Sequence, residues 1–157
     1  MANASSSGVM RIDLDALARN YRSLRRAAAP SKCGAAVKAN AYGLGIKRVA
    51  NVLFEEGCRH FFVASANEGI ALRKLFATAE IFVLAGVLEG EERALQEASL
   101  IPVLNSHEQV VRWAERVDAK RYPAALHIDT GMSRLGIDVR ELNQLALDTR
   151  VLRDVEI

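Results

Sequence analysis

Short apolar runs rich in β-forming residues alternate with stretches of helical periodicity along nearly the whole chain, and this alternation restricts the folds open to it. The runs predict strands at Ala35 to Lys38, Phe61 to Ser65, Ile81 to Ala85, Ile101 to Leu104 and Ala125 to Asp129, with a sixth at Val151 to Ile157. Between them the apolar residues fall at helical spacing. Leu14, Leu17, Ala18, Tyr21 and Leu24 make the first stripe. A helix over Lys47 to Glu56 turns Val49, Val52 and Leu53 inward and ends at Gly57, where a left-handed cap is wanted. Helices follow near Glu68 to Leu75 and Glu91 to Ala98. The next opens with Ser106 as N-cap and Gln109 three residues on, and buries Val110, Trp113, Ala114 and Val117. The last starts at Asp138 with Glu141 at N3, and buries Leu142, Leu145 and Ala146. Continuous apolar strands, rather than alternating ones, belong to parallel sheets covered on both faces. A strand plus a helix every twenty-odd residues fits either a doubly wound open sheet or a (β/α)8 barrel, and no G-x-G-x-x-G follows the first strand to favour the dinucleotide-binding version of the former.

Composition narrows the function classes. Half of the 157 residues are apolar and a quarter are charged, which excludes a disordered tail. A formal net charge of +2, with no dense basic block interleaved with aromatics, argues against nucleic acid. The basic run from Arg19 to Arg26 has the spacing of a solvated helix face. No apolar run approaches the roughly 18 residues of a membrane helix. Cys33 and Cys58 offer neither a disulfide framework nor a metal-ligand spacing, and His60, His107 and His127 form no ligand pair, so no metal is expected. The small polar residues of Met1 to Gly8 lack the features of a secretory or transit signal and read as a flexible leader, residues 1–9, to a cytoplasmic protein.

The chemistry concentrates in Val37 to Gly45, V-K-A-N-A-Y-G-L-G. Lys38 ends a buried strand, and in a parallel sheet of this kind a strand's C-terminal end faces the catalytic mouth. Partial desolvation there favours the neutral, nucleophilic amine, which suits Schiff-base chemistry with a carbonyl compound. Tyr42 can donate a phenolic hydrogen bond to an anion, and Gly43 and Gly45 allow a tight turn into the next helix. A lysine that simply snorkels from a strand end is the plain structural alternative.

This nonapeptide resembles the cofactor-lysine motif of alanine racemases, and Ile128 to Ile137, I-D-T-G-M-S-R-L-G-I, resembles that family's D-T-G-M-x-R-L-G segment. Asn67-Glu68-Gly69 and Ile81 to Gly86 extend the similarity over nearly all of the chain after the leader. The resemblance implies a (β/α)8 barrel that binds pyridoxal 5'-phosphate and interconverts L- and D-alanine by two-base proton transfer, an activity that in bacteria feeds cell-wall synthesis. Under it, Lys38 binds the cofactor covalently and serves as one base. Tyr42 contacts the cofactor phosphate, and Leu84 lines the cofactor ring. Arg134 reaches the cofactor's phenolic oxygen and the substrate carboxylate. Asp129 and Gly131 shape the loop rather than react.

His127 departs from the pattern, because many members of the family have a lysine two residues before the aspartate, carbamylated and paired with the active-site arginine. A neutral imidazole supplies no such charge, so core packing and a hydrogen-bonding role stand side by side for His127. A full barrel takes about 250 residues, so residues 10–157 read as its N-terminal part, about six strands. On this reading the C-terminal β domain is absent, together with its second base, a tyrosine that acts across a homodimer. The isolated chain is therefore expected to be inactive. Two other readings stay open: an amino-acid racemase of broader specificity, and a non-catalytic fragment that holds the cofactor.

Overall fold

The computed structural model describes residues 8–118 and 121–147. The predicted leader, almost entirely, and the predicted sixth strand, Val151 to Ile157, lie outside the described residues. The chain opens with α1 (Leu14–Ala28), capped by the Asp13 carboxylate on the Ala16 N–H at 2.8 Å. Then come β1 (Ala35–Ala36), a one-turn element α2 (Lys38–Tyr42), α3 (Ile46–Glu55), β2 (His60–Val63) and α4 (Ala66–Arg73). β3 (Glu80–Val83), α5 (Glu92–Glu97), β4 (Ile101–Leu104), α6 (His107–Arg116), β5 (Ala125–Leu126) and α7 (Val139–Leu147) follow.

Among the described residues the strands form one five-stranded parallel sheet in the order β1-β2-β3-β4-β5. This order decides between the two architectures left open by periodicity, in favour of the barrel that the resemblance implies. A doubly wound sheet reverses direction at a switch point, whereas here each strand pairs with its predecessor. With right-handed crossovers, unbroken order keeps the helices on one side of the sheet, as in an arc of a (β/α)8 barrel.

Burial alternates along the strands more than the apolar runs suggested. Phe61 and Val63 of β2, and Ile81 and Val83 of β3, are fully buried. Their neighbours Phe62 and Phe82 are half-buried on the opposite face, paired in register with rings stacked 4.9 Å apart. That second, apolar face is the one a closed barrel turns inward. On the helix side, Phe76 stacks on Phe54 and Phe61, and fully buried Trp113 donates from Nε1 to the Tyr122 carbonyl at 3.2 Å. Tyr21 donates to the Cys33 carbonyl at 2.9 Å, and burial pushes both its phenol and the adjacent Cys58 thiol above their ordinary pKa values.

Several boundaries shift for local reasons. The predicted second strand ends early because Ser65 is the N-cap of α4, its Oγ accepting from the Glu68 N–H. Pairing continues one or two residues past the strand ends, through Val37 N–H to Phe62 O, Leu84 N–H to Val63 O and Ala85 N–H to Ala64 O. Gly57 takes the expected left-handed conformation, at φ +93°. In α3 the buried residues are Val49, Ala50 and Leu53, with Val52 only half-buried. In α7 only Leu145 is buried, while Leu142 and Ala146 are exposed, because α7 packs on α6 at the edge of the described sheet.

Candidate active site

Parallel strands in unbroken order place all their C-terminal ends along one rim. After β1 the chain buries Val37 and then leaves Lys38 half-buried at that rim. Ala39, Asn40, Ala41 and Tyr42 follow with φ of 51°, 54°, 54° and 55°, a turn of left-handed helix in four non-glycine residues. Each residue in this conformation costs about 1–2 kcal/mol, so the surroundings must hold it. The Ala41 N–H donates to Val37 O at 2.8 Å and the Gly43 N–H to Ala39 O at 3.0 Å. Ala41 is buried, and Asn40 Oδ1 accepts from the Ile46 N–H at 2.8 Å, capping α3 in place of Gly45. Strain maintained at this expense is typical of functional turns. Tyr42, at the end of the turn, is 63% exposed. Among the described residues Lys38 has no acidic partner within salt-bridge distance.

Leu84 follows β3 on the same rim, two strands from Lys38, and is half-buried. Its carbonyl accepts from Asn105 Nδ2 at 2.8 Å, as does the Val103 carbonyl. Both amide donors are thereby used, so Asn105 Oδ1 must be the acceptor for His127 Nδ1, 2.7 Å away, and that nitrogen carries the proton. His127 thus ties β5 to β4 and, through Asn105, to the end of β3. Gln109 adds a second tie, its Nε2 donating to Ala85 O and its Oε1 accepting from the Asn105 N–H. The predicted capping box of α6 is therefore half formed. Ser106 Oγ does accept from the Gln109 N–H, but Gln109 reaches back past Ser106 to Asn105.

Arg134 lies beyond β5, exposed, on a loop that closes on itself. The Asp129 N–H donates to Ile137 O and the Ile137 N–H to His127 O, at 3.0 and 2.7 Å. Inside the loop the Asp129 carboxylate accepts from the Gly131 and Ser133 N–H groups. These bonds, Gly131's first, hold Asp129 below the ordinary carboxylate pKa, and the Glu141 N–H with the Arg140 side chain does the same at Asp138. A carboxyl whose folded pKa is lowered stabilises the fold above the ordinary carboxylate range, and the contribution is lost as pH falls through the lowered value. Acid is therefore expected to loosen residues 129–138 before the sheet unfolds, with amide protection at Gly131 and Ser133 falling below about pH 4. Asp129→Asn should show that loosened loop already at neutral pH. Protection that persists to global unfolding would contradict the assignment.

The structure brings Lys38 and Tyr42 onto one turn. It sets Leu84 two strands away and Arg134 beyond the opposite edge strand, about 19 Å across a flat sheet and nearer across a curved one. The sequence reading missed Glu68, Asn105 and Gln109 as builders of this rim. The signal for Asn105 is a polar amide directly after an apolar strand. For Glu68 and Gln109 it is an acceptor at N3 of a helix that starts at the rim.

An unbroken parallel arc that carries a strained turn on its C-terminal rim is an arc of a (β/α)8 barrel. The family described as alanine racemase, N-terminal domain, matches residues 12–157, and the chain belongs to it. It is 50% identical over 155 residues to a catabolic alanine racemase of Rhizobium johnstonii, covering 97% of this chain and 41% of that protein. It is 43% identical over 156 residues to alanine racemase of Brucella ovis, covering 98% and 39%. The fold superimposes on the crystal structure of Bartonella henselae alanine racemase, which has covalently bound pyridoxal phosphate, with a TM-score of 0.87 and 38% identity over 93% of this chain and 42% of that one. The chain thus spans about two-fifths of the length of these relatives. Among the described residues, no helix is long and apolar enough to cross a membrane.

Proposed function

We propose that the chain provides the cofactor-lysine part of a pyridoxal-phosphate-dependent alanine racemase, cytoplasmic and homodimeric in its complete form, that supplies D-alanine for cell-wall synthesis. Residues 10–157 are the N-terminal part of its barrel and residues 1–9 a leader. The observation that carries this reading is the folded form of V-K-A-N-A-Y-G-L-G, a half-buried lysine at a parallel strand end followed by a left-handed turn. The donor set fits the cofactor. A primary amine without an acidic partner among the described residues suits an aldehyde, and the exposed Tyr42 phenol and Arg134 guanidinium suit its phosphate and phenolic oxygen. Leu84 offers an apolar flank to its ring.

Bound there, pyridoxal phosphate supplies an electron sink for the pair left when the α-proton departs. The protein's part is positioning and proton transfer. Lys38 takes the proton from, or returns it to, one face of the substrate, and Arg134 orients the substrate carboxylate. Inversion needs a base on the other face as well, so the isolated 157-residue polypeptide is expected to bind without turnover. His127, held by Asn105, fixes the strand ends by hydrogen bonding.

Incubation with pyridoxal phosphate, borohydride reduction and peptide mapping tests this reading. Labelling is expected to concentrate on Lys38 and to vanish from that peptide in Lys38→Ala. Labelling scattered over Lys32, Lys47, Lys74 and Lys38 alike would overturn it.

A further inference from the structure

We propose that Glu68 is a positioning residue for Lys38, its carboxylate clamping the lysine turn to the end of the neighbouring strand; this rests on the reading of Lys38 as the cofactor lysine. Ser65 and Glu68 have the spacing of a capping box, in which the glutamate returns to the N–H of the cap residue. Glu68 does something else. Its Oε2 reaches past Ser65 to the Ala64 N–H at 2.8 Å, and its Oε1 crosses to the Ala39 N–H, also at 2.8 Å. Ala39 directly follows Lys38 and is the first residue of the left-handed run. Its N–H sits in the opening turn of α2, where no partner within the turn exists. One carboxylate therefore serves both strand ends, with two charge-assisted bonds of the stronger kind. Glu68 is itself fixed, half-buried in the first turn of α4 with its own N–H on Ser65 Oγ at 3.4 Å.

The same device recurs at the same helix position. Gln109 of α6 reaches its own strand end at Asn105 N–H and the preceding one at Ala85 O. Glu141, three residues after Asp138 at the start of α7, accepts from the Asp138 N–H and from the His107 N–H of the preceding unit. In each case the side chain fastens its own unit to the one before. For Glu68 the unit before is the lysine turn, so the clamp fixes the backbone from which Lys38 projects.

The test compares the full chain with Glu68→Gln, Glu68→Asp and Ser65→Ala. Glutamine keeps the length but has one acceptor oxygen, and aspartate keeps the charge but cannot span both amides. Ser65→Ala weakens the same helix cap and leaves the carboxylate in place. Two quantities are read: amide exchange at Ala39 and Ala64, and the rate of reductive labelling of Lys38 by pyridoxal phosphate relative to Lys47 and Lys74. Both Glu68 variants are expected to expose the Ala39 amide and to slow Lys38 labelling about tenfold, while Ser65→Ala leaves the relative rate within about twofold. Selective labelling that survives in both Glu68 variants, or falls equally in Ser65→Ala, overturns the positioning role alone. Scattered labelling in the wild type overturns it together with the cofactor-lysine reading.

Discussion

Replacing Arg73 by alanine is expected to destabilise the chain by about 3 kcal/mol, with replacement by lysine recovering less than half of that. The Arg73 guanidinium donates to the carbonyls of Ala98, Phe76, Ala77, Ala79 and Ser99, at 2.7 to 3.0 Å. These carbonyls end α4, lead into β3 and close α5, so a single side chain gathers the loops at the N-terminal rim of β3 and β4. Among the described residues no carboxylate forms a salt bridge with it, and burial lowers its pKa. The energetic unit is therefore the planar fork meeting backbone oxygens rather than an ion pair. Lysine keeps the charge but offers one nitrogen, which cannot reach carbonyls on three segments. Urea unfolding is the measurement, with a Tm lowered by about 8 °C in the alanine variant as its thermal counterpart. Equal stability of Arg73→Lys and wild type would show that charge, not geometry, is what matters there.

Gly86→Ala is expected to be comparably severe, about 3 kcal/mol, for a different reason. Gly86 follows Leu84 and Ala85 on the rim and has φ +75°. A Cβ there would lie 2.0 Å from Gln109 Oε1 and 2.8 Å from the Val103 carbonyl. The glutamine can swing away, but only by releasing both Asn105 N–H and Ala85 O, which unfastens β4 from β3 beside Leu84. The double variant Gly86→Ala with Gln109→Ala should recover part of the loss and no more, because the clash with Val103 O and the positive φ remain. Full recovery in the double variant would mean that the backbone is more pliable than the structure indicates. The measurement is again equilibrium unfolding, with near-ultraviolet circular dichroism to follow the rim.

How much of this was legible in the sequence depends on the range of the interaction. Element type was legible because it rests on periodicity. Ile101–Leu104 is found where the apolar run places it, and α1 lies along its stripe. Helix starts were legible where a serine or aspartate side chain caps locally, as at Ser106 and Asp138. The choice of barrel over open sheet was legible only through the family resemblance of two motifs and not from periodicity, since strand order is a property of pairing between segments twenty residues apart. The lysine turn shows the sharpest division. Its residues identify the chemistry, yet no propensity predicts four left-handed residues without glycine in Ala39 to Tyr42. That conformation is imposed by Ala41 packing inward, by Asn40 capping α3 and by Glu68 arriving from another unit. The rim-building roles of Glu68, Asn105 and Gln109 were hidden for the same reason. Each sits in a familiar local pattern, and the structure uses it across units instead.

The unbroken strand order also bears on how such a chain is made. Every described strand pairs with the one synthesised just before it, and each N3 side chain that fastens a rim reaches back to the unit already laid down. No early segment among the described residues has to wait for a distant later partner in order to extend the sheet from β1 to β5. Growth by addition of one strand and one helix keeps the loop that must close at each step short, which limits its entropic cost. A polypeptide emerging from the ribosome can therefore assemble this arc in the order of translation, with the lysine turn set once β2 and α4 have emerged.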